Sequence, residues 1–154
     1  MAVQTSTGVT FWVCAEKPAT HDVAGFEALT WVKVGEVTDL PQIGATVSEV
    51  NHSPLETGIV ESHKGFTNMG GGEVPMGRDI QDAGQIILKE AVIGATKNTE
   101  HSFKFLLPDG TAEASTGKVF GYPTLIGGAD SIITTSATIK LNTSIVDLPA
   151  PVIP

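Results

Sequence analysis

The clearest hydrophobic periodicity in the chain lies in residues 77–94, GRDIQDAGQIILKEAVIG. Ile80, Ala83, Gly84, Ile87, Leu88 and Ala91 recur at the spacing of one helix face, with Gln81, Gln85, Lys89 and Glu90 largely opposite. This pattern predicts an amphipathic helix over about residues 79–93, lying on a core. Asp79 reads as the N-cap acceptor, and Asp82 adds negative charge to the first turn, where the helix dipole favours it. Gly94 offers a left-handed C-cap and a stop.

Elsewhere the apolar positions alternate or form short β-rich runs. VTFWVCA (9–15) predicts a first strand, with KPATHDVAG (17–25) as a loop behind it. FEALTWVKVGEV (26–37) reads as a short turn followed by a strand through Trp31, Lys33 and Val34, and TDLPQIG (38–44) closes it. Trp12 and Trp31 both sit in apolar contexts that predict core packing. HSFKFLL (101–107) and 112–122, joined by Asp109-Gly110, predict a hairpin with Phe103, Phe105 and Leu107 on one face and Ser102 and Lys104 on the other. IITTSATIKL (132–141) alternates cleanly, with Ile133, Thr135, Ala137, Ile139 and Leu141 facing in. The proline-rich end, 145–154, reads as an extended arm. The sum is a mainly β chain of about six to eight strands, a β-sandwich or flattened barrel with one flanking helix.

One segment breaks the pattern. Residues 45–76 hold few large apolar residues, several Gly and Pro, and three consecutive glycines, Gly70, Gly71 and Gly72. Weak alternation survives at 46–51 and 58–62. We read about 51–72 as a long loop or hairpin excursion that stands off the body, with the glycines as a hinge. Long segments without a core of their own are commonly functional.

The 154 residues fit one domain, with no additional C-terminal domain expected. Hydrophobic residues make up 41% and charged residues 17%, which excludes a disordered chain. Seventeen acidic against nine basic residues give a net charge of −8, and Arg78 is the sole arginine. Scattered lysines on an acidic chain give a duplex no phosphate-binding surface. Cys14 has no disulfide partner and reads as a small core hydrophobe. No secretory signal and no membrane span are recognised, so synthesis in the cytoplasm is expected.

Candidate chemistry is sparse. His21, His52, His63 and His101 form no metal-ligand spacing and read as exposed or incidental. Gly70–Gly72 match neither phosphate-loop nor dinucleotide patterns, Asp79 and Asp82 are explained by the helix start, and no nucleophile–base pair can be nominated. No enzyme activity, cofactor or metal is expected.

The order of features then carries a resemblance. Ala24-Gly25-Phe26, Leu29-Thr30-Trp31 and Gly35-Glu36-Val37, followed by NHSPLETG and SHKGF in the excursion and by Asp79, Asp82, Gly84, Gln85 and Leu88 at the helix, resemble the major tail tube proteins of long, flexible-tailed bacteriophages. The resemblance covers most of residues 18–122. It implies a β-sandwich subunit that forms hexameric rings, which stack into a hollow tube with one sheet of each subunit lining the channel. It further implies an inter-subunit and inter-ring role for the excursion, here Asn51, His52, Pro54, Leu55, His63, Lys64, Phe66, Gly70, Gly71 and Gly72. Expected partners are other copies of the chain and tape-measure, tail-tip and tail-terminator proteins, with duplex DNA passing through the lumen unbound. The expected location is the virion tail. The alternative is a solitary β-sandwich binding module, for carbohydrate or as a virion decoration.

Overall fold

The computed structural model describes residues 3–150; residues 151–154 of the expected C-terminal arm lie outside them. The chain runs β1 (Thr10–Cys14), α1 (Val23–Glu27), β2 (Val32–Val34), β3 (Ile43–His52), β4 (Glu61–Gly77), α2 (Ala83–Ile93), β5 (His101–Leu106), β6 (Ala112–Gly121), β7 (Thr124–Leu125), β8 (Thr134–Leu141) and β9 (Val146–Leu148). All strand pairs are antiparallel, in the order β2-β1-β5-β6-β8-β4-β3, with β7 added to β8 and β9 to β6. The mainly β fold with a flanking helix is thus as expected, and the sheet is not closed into a barrel.

The sheet nevertheless curls on itself. Phe11, Val13, Phe103 and Phe105 from one half and Val74, Met76, Ala137, Ile139 and Leu141 from the other form a single cluster, capped by Leu88 and Ala91 of α2. Stacked rings of Phe11 and Phe103, 6.0 Å apart, lie at its centre. Where the ends approach, the chain just past β2 meets β4 at one bridge, Val37–Met76, flanked by Gly77 N–H donating to the Glu36 carbonyl at 2.9 Å. Glu36 turns the chain there with φ +62°, a conformation few non-glycine residues adopt. A second, smaller cluster of Phe26, Ala112, Ala114 and Leu148 covers the opposite face of the sheet, under α1 and β9.

Several strand expectations hold in detail. On β8 Thr135, Ala137, Ile139 and Leu141 are buried while Thr134, Ser136, Thr138 and Lys140 are not, but Ile133, expected to face in with them, precedes the strand and is about half exposed. The β5–β6 hairpin turns at Asp109-Gly110, where Gly110 has φ +95° and the Asp109 carboxylate accepts from both the backbone N–H and the hydroxyl of Thr111. Other readings need correction. The segment 17–25 is not all loop: Asp22 caps the one-turn helix α1, accepting Gly25 N–H at 2.8 Å. Trp12 and Trp31 are only half-buried, because both rings pack around the ammonium of Lys104 at 4.9 and 5.0 Å rather than entering the main core. The expected arm folds back in part, Val146–Leu148 pairing with Ala112–Ala114 as an edge strand.

Candidate functional site

The segment singled out for its lack of core residues is a two-stranded ribbon. β3 and the first part of β4 pair from Ile43–Gly70 to His52–Glu61, with two irregularities in register. The ribbon therefore begins at Ile43, not near residue 51, because its strands are exposed on both faces and show no alternation to mark them. Between residues 45 and 68 every residue but Pro54 is exposed. Val50, Leu55, Ile59, Val60 and Phe66 stand more than half exposed, Leu55 and Phe66 almost wholly so. Asn51, His52, His63 and Lys64 are exposed polar neighbours on the same ribbon.

Gly70, Gly71 and Gly72 are not a free hinge. They lie inside β4, where its partner changes from β3 to β8, and each is paired: Gly70 with Ile43, Gly71 with Lys140, Gly72 with Ile139. Their φ angles of +93°, +136° and +153° bend the strand out of the body, a path closed to L side chains. A Cβ on Gly71 would also lie 2.4 Å from the Ile139 carbonyl oxygen. The junction thus aims the ribbon in a fixed direction.

The four helix-start residues of the family-like pattern come together at the seam of the sheet. The N-cap is Asp82, not Asp79: its carboxylate accepts Gln85 N–H and Gly35 N–H, both at 3.1 Å. Asp79 sits one turn earlier, accepting Gln81 N–H at 3.0 Å. Gln85, expected on the outer face, is buried. Its amide nitrogen donates to the carbonyls of Gly35 (3.1 Å) and Gly77 (2.8 Å), and its oxygen accepts from Asp79 N–H (3.0 Å) and Tyr122 Oη (3.1 Å). One side chain thereby joins the end of β2, the end of β4, the helix start and the end of β6. Gly84 permits this approach: a Cβ there would meet the Lys33 carbonyl oxygen at 2.6 Å and Val34 Cα at 2.7 Å. Gly94 ends α2 without the left-handed turn, in an extended conformation with its N–H still bonded to the Glu90 carbonyl.

With Gln85 inward, the outer side of α2 shows Ile86 and Ile93, joined by Ile80 from the preceding turn; Ile80 and Ala83, expected on the buried face, are both exposed because the helix starts only after Asp82 and turns Gln85 to the core. These residues, with Arg78, Lys89 and Tyr122, line a groove of about 460 Å³. The loop around β7 adds exposed Leu125, Ile126 and Ile132 nearby, tied to the groove by Arg78 N–H donating to the Ile133 carbonyl.

Among the described residues no three His, Cys, Asp or Glu side chains converge as a metal site, and no helix is long and apolar enough to cross a membrane. His21, His52 and His63 are exposed. His101, by contrast, is fully buried. Its Nδ1–H donates to the Thr99 carbonyl at 2.9 Å while Nε2 has no partner among the described residues, and burial lowers its pKa. Burial, then the facing Asp147, raises the Glu113 carboxyl.

No protein-family model matches the sequence, and no curated protein matches it. The fold, in contrast, recurs in phage-tail-like particles. One similar chain comes from the tail of an empty GTA particle with C6 symmetry, at TM-score 0.63 and 10% identity over 93% of this chain and 97% of that one. A second belongs to the six-fold symmetrised baseplate of the anti-feeding prophage, at 0.63 and 8% identity over 99% of both chains. A third is from the sheath/tube terminator of an extracellular contractile injection system, PVC, at 0.60 and 6% identity over 97% and 100%. At these identities the likeness is one of fold.

Proposed function

We propose that this chain is a structural tail protein whose copies form hexameric rings, stacked into the hollow tail tube of a long, flexible-tailed phage, through which DNA passes. The observation that carries the reading is the fold likeness, which spans nearly the full length of both chains in each comparison. Two physical features support it. The ribbon of β3 and β4 exposes apolar side chains that none of the described residues covers, as expected of a segment whose partner is another subunit. A net charge of −8 offers a passing duplex no phosphate grip. Asn51, His52, Pro54, Leu55, His63, Lys64 and Phe66 then act between subunits, with Gly70–Gly72 setting their direction. Tape-measure, tail-tip and terminator proteins are the further partners, and assembly follows synthesis in the host cytoplasm.

A second reading is favoured by the likeness to the sheath/tube terminator: a ring that ends a tube rather than repeating along it. Static light scattering across a concentration series separates the two. A tube protein gives mass that grows with concentration, whereas a terminator stops at one ring. Removing residues 46–68 and joining the ends with a short glycine linker spares the part of β4 that pairs with β8 and is expected to leave a folded monomer. Normal tubes from that variant would overturn the role given to the ribbon.

A further inference from the structure

A cleft of about 450 Å³ opens at the start of β6, at the far end of that strand from the α2 groove. Three stretches line it: the turn at residues 6–9, the loop at 37–41, and the paired ends of β5 and β6. Its sides are held in place by the chain itself. The turn is closed by Val9 N–H donating to the Ser6 carbonyl at 3.1 Å. The loop is tied to β4 by Thr38, whose backbone N–H (3.0 Å) and hydroxyl (3.2 Å) both donate to the Pro75 carbonyl.

Val37, Leu40, Phe105 and Leu107 give the cleft apolar walls, yet its only charged lining residues, among those described, are Asp39 and Glu113. Asp147 faces Glu113 directly across the β6–β9 pair, a like-charge placement that weakens a sheet. The one ion pair among the described residues is His63–Glu61, on the ribbon, so no described cation offsets these three carboxylates. Asp39 receives a single local donor, Leu40 N–H at 2.8 Å. Burial, then Asp147, holds the Glu113 carboxyl above its ordinary value, with no donor to counter them.

We infer that this cleft binds an aliphatic ammonium, the lysine side chain of a partner protein, seated together with the apolar residues beside it. The inference goes beyond the assembly reading and does not depend on it. Charge selects the occupant: the lining carries carboxylates and no described basic residue. An aliphatic stem suits the apolar walls while its charged head reaches the acids, the division that lysine makes along its own length. Asp39 and Glu113 come from different elements, and a compact head with three rotatable donors meets both more readily than a planar guanidinium. The volume is in the range of drug-sized ligands, more than one alkylammonium fills, so the cation arrives with flanking groups. Once bound, it offsets the repulsion between Glu113 and Asp147.

The test uses the full chain and two probes, the peptide acetyl-Ala-Leu-Lys-Leu-Ala-amide and the same peptide with norleucine in place of lysine. Saturation-transfer NMR reads weak binding whether the chain is monomeric or assembled. The lysine peptide should bind about tenfold more tightly or better, the gain expected of a charge-assisted pair. Glu113→Gln should remove most of that preference, and Asp39→Asn part of it. The preference should also fade as pH falls through the Glu113 titration, since Asp39 and Asp147, the other carboxyls facing the site, lose charge in the same direction. Equal binding of the two peptides, no binding by either, or a preference untouched by both variants would overturn the inference. Tighter binding of hexamethylenediamine than of the lysine peptide would assign the cleft to free amines and overturn the protein source. Tube formation, read separately by light scattering, is unaffected by any of these outcomes.

Discussion

The side-chain nitrogen of Gln85 donates to the Gly77 carbonyl at 2.8 Å, fixing the start of α2 to the last residue of β4. The same amide holds Gly35, Asp79 and Tyr122, so every hydrogen-bonding position of this buried side chain is used. Replacing it with leucine leaves two carbonyls and one backbone N–H unpartnered at the seam. The expected cost is about 2–4 kcal/mol, since each orphaned buried group costs ~1–3 kcal/mol and the site can partly relax. Chemical denaturation of Gln85→Leu against wild type checks this; a change under half a kilocalorie would show the seam does not depend on the amide.

The two aspartates at the helix start are expected to be unequal. Asp82 caps α2 and also holds Gly35 N–H, whereas Asp79 supports only a local turn. Asp82→Ala should destabilise by about 1–2 kcal/mol and Asp79→Ala by under ~0.5 kcal/mol. The ratio of the two shifts in thermal unfolding midpoint reads the assignment directly.

At the ribbon junction, Gly71→Ala combines backbone strain with a clash against the Ile139 carbonyl. Gly44 shares a positive φ, +129°, but a Cβ there meets nothing within 4 Å. Gly44→Ala should cost about 1 kcal/mol from strain alone, and Gly71→Ala at least ~2 kcal/mol. Similar costs would mean that β4 and β8 separate readily at this point.

The buried His101 makes stability depend on pH. Its folded-state pKa lies below 6.5, the value for a free side chain, so below that pH the unfolded chain binds the proton more readily than the folded one. The neutral ring's contribution is complete above pH 6.5 and is lost as pH falls from there through the folded-state value. Unfolding free energies for wild type and His101→Phe between pH 7.5 and 5 should diverge in slope, with the wild type falling more steeply. Parallel curves would mean that the buried ring accepts a proton without loss.

Much of this fold was legible where one face of an element is wet. The alternation of β8 from Thr134 on, the Asp-Gly turn between β5 and β6 and the inward Gly84, Leu88 and Ala91 of α2 follow from that contrast, whereas Ile80 and Ala83, placed on the same helix face, are exposed. The ribbon was legible only as an absence of core residues, so its position was found while its start at Ile43 and its two long strands were not. Gln85 was misread because a polar residue predicts exposure unless its partners are known, and those partners, Gly35, Gly77 with Asp79, and Tyr122, come from three separate stretches of chain. The Gly70–Gly72 run carried a true signal, unusual backbone, but nothing local distinguishes a loose hinge from a bent strand held by β8. Asp79 and Asp82 both satisfy the capping preference, and only the register of α2 against β2 chooses between them.

The most direct test of the account is electron microscopy of the concentrated wild-type chain in negative stain, alone and with its partner tail proteins. The account predicts hollow tubes, or short stacks of six-fold rings that lengthen with concentration. A particle that stays monomeric under both conditions would contradict it and return the chain to the class of solitary β-sandwich binding modules.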